Sequence, residues 1–425
     1  MPLMILSVAE ALDRLLSSLE PLPSEEVPLE DALGRVLAQN VRAGHDLPPF
    51  ANSAMDGFAV RAADTTSASP SSPVTLQVVG DVAAGSAPAL RVGPGQAARI
   101  MTGGMLPEGV DAVVPVEGTG EPAPMAGRGL PRDVEVRQEV RVGAWIRRPG
   151  LDVAAGAEVL EQGRALGPKE IGLLAALGVG RPRVHRRARV AVFSTGDELV
   201  KASRPLGAGQ LRDANGAALA AAVRQAGAEP ISGGILRDRI RSVAAGLRRA
   251  VRAGADLILT SAGVSQGAYD FVRLVVEQEG NLEFWMVNIR PGKPLAVGQF
   301  QGKPFIGLPG NPVSALVTFE VFVRPALLRL HGARADDRIR FEARLEQPID
   351  SDGRESYLRA RVRWDQGGYR ARLSGSQDSS ALSALAAANA LVIVPPGVRS
   401  LPEGASVQGW FLEPPIGGRG AAPRP

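Results

Sequence analysis

Residues 189–199 read RVAVFSTGDEL. The apolar run VAVF ends in small polar residues and Gly196, which is typical of a buried strand followed by a turn. After it, helical patterns such as ANGAALAAAVRQAGA (214–228) alternate with strand-like runs such as ADLILTS (255–261). This alternation predicts a central doubly wound, mostly parallel α/β domain over residues 188–331.

The rest of the chain predicts smaller domains around this block. Short apolar runs between Gly and Pro turns predict an inserted small β domain, and a second alternating stretch predicts a C-terminal β-barrel. The tail is rich in Gly and Pro, so we expect it to be disordered. The predicted divisions are 1–43 with 146–187 (a discontinuous N-terminal α+β domain), 44–145 (inserted β), 332–414 (barrel) and 415–425 (tail).

Helix ends are marked in several places. Ser7 and Glu10 have the spacing of a capping box before an apolar stripe. Pro168 suits the first position of a helix that Gly178 would end, and Gly227 would end another.

Composition excludes several functions. The chain has 425 residues, 45% of them hydrophobic, and no cysteine, so disulfides, thiolate metal sites and cysteine nucleophiles are absent. The histidines lack metal-ligand spacing, and none is near the candidate loops, which disfavours zinc and Ser-His-Asp catalysis. No apolar run of about 18 residues and no signal peptide is present, so we expect a cytoplasmic protein without a membrane span. The net charge of +4 comes without a nucleic-acid motif and instead suggests anionic substrates.

Small polar residues follow the predicted strands of the α/β block. In a doubly wound sheet, ligands bind outside the carboxyl ends of the strands, where Gly-rich backbone and helix N-termini attract oxyanions. Turn and cap residues of the same types are common in any α/β protein, but here they recur on five loops. The candidate substrate-binding residues are Ser194, Thr195, Gly196, Ser261, Gly263, Ser265, Arg290, Lys293, Pro309, Gly310 and Asn311.

Carboxylates fall on the same loops: Asp197, Glu198, Asp238 and Asp270. We expect carboxylates that face phosphate-binding groups to hold a Mg²⁺ ion that lies between them and the phosphate. The G-x-G-x-x-G fingerprint and the Walker A motif are absent, which disfavours nicotinamide redox chemistry and P-loop hydrolysis.

A second acidic position stands in DLPPFANSAMDGFAV (46–60). The two prolines restrict the chain, Asn52 and Ser53 can hydrogen-bond the bend, and Gly57 permits a sharp exit. These residues explain a rigid turn but not Asp56, which we predict to form a polar wall of the substrate site.

The ordered motifs PPFANSAMDGFAV, MTGGMLPEGVDAVVPVE, VFSTGDEL, TSAGVSQGAYDFV, RPGKPLAVG and GLPGNPVSALVTFEVFVRPAL resemble those of the molybdopterin molybdenumtransferase family, the MoeA type, which includes the C-terminal domain of gephyrin. The resemblance covers residues 5–410 and implies a four-domain architecture. It also implies a reaction: molybdenum from molybdate enters adenylylated molybdopterin, AMP is released, and Mg²⁺ assists.

The resemblance further implies a homodimer and transient contact with the molybdopterin adenylyltransferase. Two alternatives remain open at this point. Residues 188–331 also resemble that adenylyltransferase, and a non-catalytic pterin-binding scaffold is the other. Molybdate and tungstate have nearly the same size and charge, so the sequence does not distinguish them.

Functional positions of the family carry over where its motifs match. Metal or hydrolysis roles fall to Asp238 and Asp270, and a substrate or orienting role to Glu198. Anion binding falls to Arg290 and Lys293. The remaining matches are Asp56, Thr102 and Asp152 outside the α/β block, and Arg354 and Ser376 in the last domain.

Four positions depart from the family pattern: Ala262 replaces a glycine, Gln266 a valine, Ala268 an acidic residue and Met286 a lysine. If position 262 needs φ > 0, alanine there would cost about 1 kcal/mol.

Overall fold

The structure is a computed structural model that describes residues 5–122, 129–263, 270–334 and 338–413. The chain forms two compact units. The larger comprises Met1–Gln39, Gly163–Gly167 and Arg181–Pro425, and the smaller comprises Asn40–Gln162 and Pro168–Gly180. The four-domain division predicted from the sequence is finer than this split and stays a prediction.

The α-helices of the described residues are α1 (Val8–Ser17), α2 (Pro168–Ala176), α3 (Ala214–Gln225), α4 (Ile240–Arg252), α5 (Phe271–Glu279), α6 (Pro312–Thr318), α7 (Arg324–Leu330) and α8 (Leu382–Ala386). None of the helices in this part of the chain is long and apolar enough to cross a membrane.

The strands are β1 (Ile5–Leu6), β2 (Ser24–Glu26), β3 (Val41–Arg42), β4 (Asn52–Ser53), β5 (Gly57–Val60), β6 (Val74–Val82), β7 (Gln96–Ile100), β8 (Ala112–Pro115), β9 (Asp133–Val136), β10 (Ile146–Arg147), β11 (Glu158–Leu160), β12 (Arg183–His185), β13 (Arg189–Thr195), β14 (Leu199–Val200), β15 (Leu211–Arg212), β16 (Glu229–Leu236), β17 (Leu257–Ser261), β18 (Gly280–Val287), β19 (Ile289–Arg290), β20 (Pro294–Phe300), β21 (Lys303–Leu308), β22 (Arg340–Leu345), β23 (Ile349–Asp350), β24 (Glu355–Asp365), β25 (Gly368–Leu373), β26 (Ala390–Val394), β27 (Ser400–Leu401) and β28 (Ser406–Phe411).

The larger unit is built on a seven-stranded sheet in the order β1-β18-β20-β21-β17-β13-β16. The strands β16, β13, β17 and β21 run parallel, whereas β20 is antiparallel to both of its neighbours. Apolar residues of α1, α3, α6 and α7 form one core, and those of α4 and α5 form a second core with other residues of the sheet strands. The predicted doubly wound, mostly parallel sheet is confirmed.

The C-terminal sheet closes on itself. Its order is β19-β24-β25-β22-β28-β26, and β24 also pairs with β26. Residues alternate along β22 as exposed and buried, so Phe341, Ala343 and Leu345 point into the barrel core. The predicted C-terminal β-barrel is confirmed.

The smaller unit contains a five-stranded sheet in the order β8-β5-β7-β6-β9. Gly57 begins β5, opposite Pro115 of β8. A Cβ on Gly57 would lie 2.1 Å from the carbonyl oxygen of Val114. Close backbone approach therefore requires this glycine, rather than the sharp exit expected from the sequence.

The helix ends agree with their sequence signals. Ser7 and Glu10 form both hydrogen bonds of the capping box. Pro168 begins α2, and Gly178 and Gly227 have φ of 73° and 79° after their helices. The helical segment from Pro312 to Leu330 is interrupted by a π-helical turn at Phe319–Val323. Pro325 lies next to this turn and cannot donate a helical hydrogen bond.

His331 makes the larger unit sensitive to acid. Its Nε2 accepts a hydrogen bond from the backbone N–H of Ala188, so the buried ring is neutral. Burial, and then the charges of Arg35 and Arg187, lower the pKa of His331 to about 4 from 6.5. The unfolded chain takes up this proton first as pH falls. We therefore expect about 3 kcal/mol of the free energy of unfolding to be lost between pH 6.5 and pH 4.

Urea unfolding at a series of pH values measures this loss. His331→Gln should remove it from the pH profile, and His45→Gln, at an exposed position, should leave the profile as it is. Equal profiles for His331→Gln and the unmodified protein would contradict the assignment.

Candidate functional site

A cavity of about 660 Å³ opens at the carboxyl ends of β17 and β21 in the larger unit. Loops of the α/β sheet supply one wall and a segment of the barrel supplies the other. The lining residues are Ala262, Gly263, Asp270, Arg290, Pro291, Gly292, Lys293, Pro294, Pro309, Gly310, Asn311, Ser314, Arg354, Gln377, Asp378 and Ser379. Of the residues predicted from the sequence, the cavity brings together Gly263, Asp270, Arg290, Lys293, Pro309, Gly310, Asn311 and Arg354.

Two cationic side chains come from the segment between β18 and β20. Arg290 is held by pairing of β19 with β24, opposite Ser356. Lys293 is exposed, and its carbonyl accepts a hydrogen bond from the backbone N–H of Val287. Since both residues line one concave surface, the positive charge is concentrated where an anion can enter.

Hydrogen bonds join the barrel segment to the sheet loops. Asn311 Nδ2 donates to Ser379 Oγ at 2.8 Å, and the backbone N–H of Val313 donates to the carbonyl of Ser379 at 3.2 Å. Asn215 Nδ2 donates to the carbonyl of Gly310 at 2.8 Å. The two walls of the cavity are therefore fixed to each other by polar contacts as well as by packing.

The two residues predicted from the last domain lie in different places. Arg354 lines the cavity, but its guanidinium already donates to Asp352 and, at 3.0 Å, to the carbonyl of Ile289. Ser376 is exposed and lies outside the cavity lining. The next three residues along the chain, 377–379, are the ones that face the cavity.

Arg359 is a residue that the sequence analysis missed. Its side chain is 1% exposed, and one terminal nitrogen donates to the carbonyls of Ser376 and Asp378 at 3.0 and 2.9 Å. Its Nε is buried without a partner in the part of the chain that the structure describes. Burial and then the nearby charge of Arg290 lower the pKa of Arg359 to about 10. This arginine therefore anchors the barrel segment that contains the cavity-lining residues 377–379.

Carboxylates gather beside the cavity. Asp238 and Asp197 exchange long hydrogen bonds with each other's backbone N–H, at 3.3 and 3.4 Å. Burial raises the pKa of Asp238. The hydrogen bond from the backbone N–H of Asp197 lowers this pKa, whereas the negative charges of Asp197, Glu198 and Asp270 raise it further. Asp238 and Asp270 are thus close enough to interact electrostatically, although only Asp270 lines the cavity.

Three predicted binding residues lie beneath this surface. Ser194, Thr195 and Ser261 are at most 5% exposed. Ser194 Oγ donates to Asp213, which in turn caps α3, and Ser261 Oγ donates to Ser194 Oγ. Their hydroxyls are used within the protein, so any contribution to binding is indirect. Gly196 has φ of 148°, and the carboxylate of Glu198 lies directly over it.

Asp56, Thr102 and Asp152 belong to the smaller unit. Asp56 Oδ1 accepts hydrogen bonds from the backbone N–H and the hydroxyl of Thr102, at 2.7 and 2.8 Å. As expected, Ser53 stabilises the bend, since its hydroxyl donates to the carbonyl of Met55 at 2.6 Å. Asp152 is exposed in a turn.

The loop after β17, which departs from the family pattern, begins with a strained backbone conformation. Ala262 has φ of 67°, a conformation that favours glycine, and its Cβ lies near Gly310. Ser265, Gln266 and Ala268 lie outside the described residues. Met286 lies in β18 opposite Ile5.

We expect Ala262→Gly to raise the free energy of unfolding by about 1 kcal/mol, because glycine adopts positive φ without a Cβ clash. Urea unfolding measures this change. Ala208→Gly, at an exposed turn without positive φ, is the control and should lower stability. A loss of stability in both variants would show that position 262 is not strained.

Comparison with known proteins finds matches over most of the chain. Three family models match the chain: MoeA N-terminal region (domain I and II) over residues 6–178, probable molybdopterin binding domain over 191–329, and MoeA C-terminal region (domain IV) over 342–412. The chain is 42% identical over 392 residues to molybdopterin molybdenumtransferase 2 of Mycobacterium tuberculosis, covering 91% of this chain and 94% of that one. It is 39% identical to molybdopterin molybdenumtransferase of Nostoc sp., covering 90% and 88%. A solved molybdopterin biosynthesis MoeA protein from Pyrococcus is 34% identical, covers 97% of this chain and 100% of its own, and has a TM-score of 0.79.

Proposed function

Because this chain belongs to the molybdopterin molybdenumtransferase family and acts as an enzyme of molybdenum cofactor biosynthesis, we propose that its cavity inserts molybdenum from molybdate into adenylylated molybdopterin with release of AMP. The observation that carries this proposal is the meeting of Arg290, Lys293 and Asp270 in one cavity. Arg290 and Lys293 would bind the anionic substrates, and the carboxylate of Asp270 would bind a metal ion or a water molecule beside them.

We infer that Mg²⁺ takes part. Mg²⁺ usually binds one or two carboxylates and completes its shell with phosphate oxygens and water, so it does not need a cage of three protein side chains, and the described residues contain none. Burial raises the pKa of Asp238, and the charges of Asp197, Glu198 and Asp270 raise it further; a divalent cation would offset this repulsion among the carboxylates. Asp238 and Asp270 are the residues that would hold it. The bound ion would polarise the phosphate linkage.

The protein's own residues then have separate tasks. Lys293 and Arg290 bind and orient the phosphate oxygens as the AMP bond breaks. The exposed backbone at Gly310 and Asn311 offers N–H groups to the molybdate oxygens. Glu198, placed over Gly196, orients substrate or water at the neighbouring loop.

The deciding experiment supplies adenylylated molybdopterin and Mg²⁺ and follows AMP release before and after molybdate is added. Release that depends on molybdate supports the insertase. Tight binding of the pterin without AMP release would reject it in favour of a scaffold. Formation of the adenylylated pterin from ATP would indicate an adenylyltransferase.

We also propose a cytoplasmic homodimer that contacts the adenylyltransferase transiently. These proposals rest on the family resemblance. Sedimentation equilibrium over a range of concentrations tests the dimer, and a monomer at micromolar concentration would contradict it.

For Asp56 we expect a functional rather than a structural effect. Asp56→Ala should lower turnover at least about tenfold, while loss of its exposed hydrogen bonds to Thr102 should cost about 1 kcal/mol of stability at most. Asp64→Ala is the matched control, since Asp64 also accepts a backbone hydrogen bond in the smaller unit, from Gly95 at 2.9 Å. Normal turnover per folded molecule in Asp56→Ala would make Asp56 a turn residue only.

A further inference from the structure

A second, smaller hollow of about 350 Å³ lies on the outer face of the C-terminal barrel. We call it the barrel hollow. Strands β24 and β25 supply two arginines, and the segment that leads into α8 supplies hydroxyls and small apolar side chains. Its lining residues are Arg361, Arg372, Leu373, Ser374, Gly375, Ser376, Ala381, Ser383, Ala384 and Ala387.

The register of the barrel places like charges side by side. Arg361 and Arg372 are directly opposite each other in the antiparallel pair β24–β25. Both are exposed, and neither forms an ion pair with any residue that the structure describes. Like charges directly opposite each other on a sheet destabilise it. An anion bound between them would remove that cost.

The neighbouring row of arginines is different. Arg344, Arg370 and Arg363 are opposite one another across β22, β25 and β24. Arg363 forms ion pairs with Glu346 at 2.7 Å and Asp365 at 3.6 Å, so this row is partly neutralised. The row also lies outside the barrel hollow. The pair Arg361 and Arg372 is therefore the one that combines concavity with uncompensated charge.

Hydroxyl groups complete the hollow. Ser376 Oγ accepts a hydrogen bond from the backbone N–H of Asp378 at 3.2 Å, which leaves its proton to donate to a ligand. Ser374 Oγ donates to the carbonyl of Ala384 at 2.7 Å and is part of the floor. Two guanidinium groups and a hydroxyl donor are the groups that proteins use to bind a phosphate dianion.

The segment 374–380 separates the barrel hollow from the main cavity. Gly375 and Ser376 line the hollow, whereas residues 377–379 line the cavity. Arg359 donates to the carbonyls of Ser376 and Asp378, and so ties both sides of the segment to one buried side chain. A ligand in the hollow would contact the back of the wall that faces the substrate.

From this arrangement we propose that Arg361, Arg372 and Ser376 form a second anion site, which binds a phosphate group and steadies the segment 374–380. The phosphate could come as the free ion or as part of a nucleotide. Binding at this position does not require the chemistry proposed for the main cavity.

The test uses the full chain carrying Lys293→Ala, so that the main cavity is weakened, and titrates inorganic phosphate by calorimetry at low salt. We expect saturable binding. Arg361→Gln with Arg372→Gln should weaken affinity at least about tenfold, in line with the loss of two charge-assisted contacts. The matched control is Arg344→Gln with Arg370→Gln, which removes the same charge from an opposed pair outside the hollow and should change affinity less than about threefold.

Two further arms complete the design. Titration with AMP distinguishes the two sources of the phosphate. If AMP binds more tightly than phosphate and Arg361→Gln with Arg372→Gln abolishes this binding, the ligand is a nucleotide. If AMP and phosphate bind with equal affinity, the ligand is the free ion. Arg361→Lys with Arg372→Lys keeps the charge and should recover part of the affinity. Equal weakening by the two glutamine double variants, or unchanged affinity in Arg361→Gln with Arg372→Gln, would overturn the proposal.

Discussion

Replacement of Lys293 by alanine is expected to lower molybdate-dependent AMP release about 10²- to 10³-fold. Lys293 lines the cavity beside Arg290 and Asp270, where a fixed cation stabilises charge that develops on a leaving phosphate. Removal of one such donor from an active site typically has an effect of this size. The free energy of unfolding should stay within about 0.5 kcal/mol, because the side chain is exposed.

Lys303→Ala is the matched control for this experiment. Lys303 begins β21, at the opposite end of the strand from Pro309 and the cavity, and its loss makes the same change in net charge. Its AMP release should stay within about twofold of the unmodified protein. If both lysine variants lost the same activity, the effect would come from overall charge and not from the cavity.

Arg359→Ala is expected to have the second large effect, a loss of about 4 kcal/mol in the free energy of unfolding. The substitution leaves a cavity in place of a fully buried side chain and removes the donor to the carbonyls of Ser376 and Asp378. The wall formed by residues 377–379 should loosen, so KM for the pterin substrate should rise more than kcat falls.

Urea unfolding, hydrogen exchange at residues 376–380 and steady-state kinetics measure these effects. Arg359→Lys should recover part of the stability, because an ammonium can still donate to one of the two carbonyls. It should not restore the position of residues 377–379 completely. Arg363→Ala, at an exposed position of the same strand, is the control. Unchanged exchange at 376–380 in Arg359→Ala would show that this arginine does not position the wall.

The sequence determined the type of sheet and much of the cavity. Alternation of helical and strand patterns predicted the parallel sheet because those patterns follow from local periodicity. Residues that follow the carboxyl ends of parallel strands then had to meet at one edge, which is why Pro309 and Asp270 line a single cavity. Lys293 reaches the same edge because it precedes β20, which runs antiparallel to its neighbours. The capping box at Ser7 and the helix start at Pro168 were equally local and are confirmed.

Contacts between residues far apart in the chain could not be derived in this way. β24 has an arginine at every second position, 359, 361 and 363, so the three belong to one face of the strand. Only the tertiary structure buries Arg359 beneath residues 376–378 and leaves Arg361 at the surface. The choice depends on where the segment after β25 crosses the sheet.

Local sequence therefore decided which elements form and which strand ends carry polar residues, since backbone periodicity and turn chemistry act over a few residues. The folded chain decided which residues from outside those strand ends join the same cavity. The sequence predicted Ser376 as a binding residue, but in the structure its neighbours Gln377, Asp378 and Ser379 line the cavity. The structure also shows the positive φ of Ala262. The first outcome depends on contacts between the barrel segment and the sheet loops, and the second on the approach of the loop after β17 to Leu308 and Gly310. No short stretch of sequence encodes either.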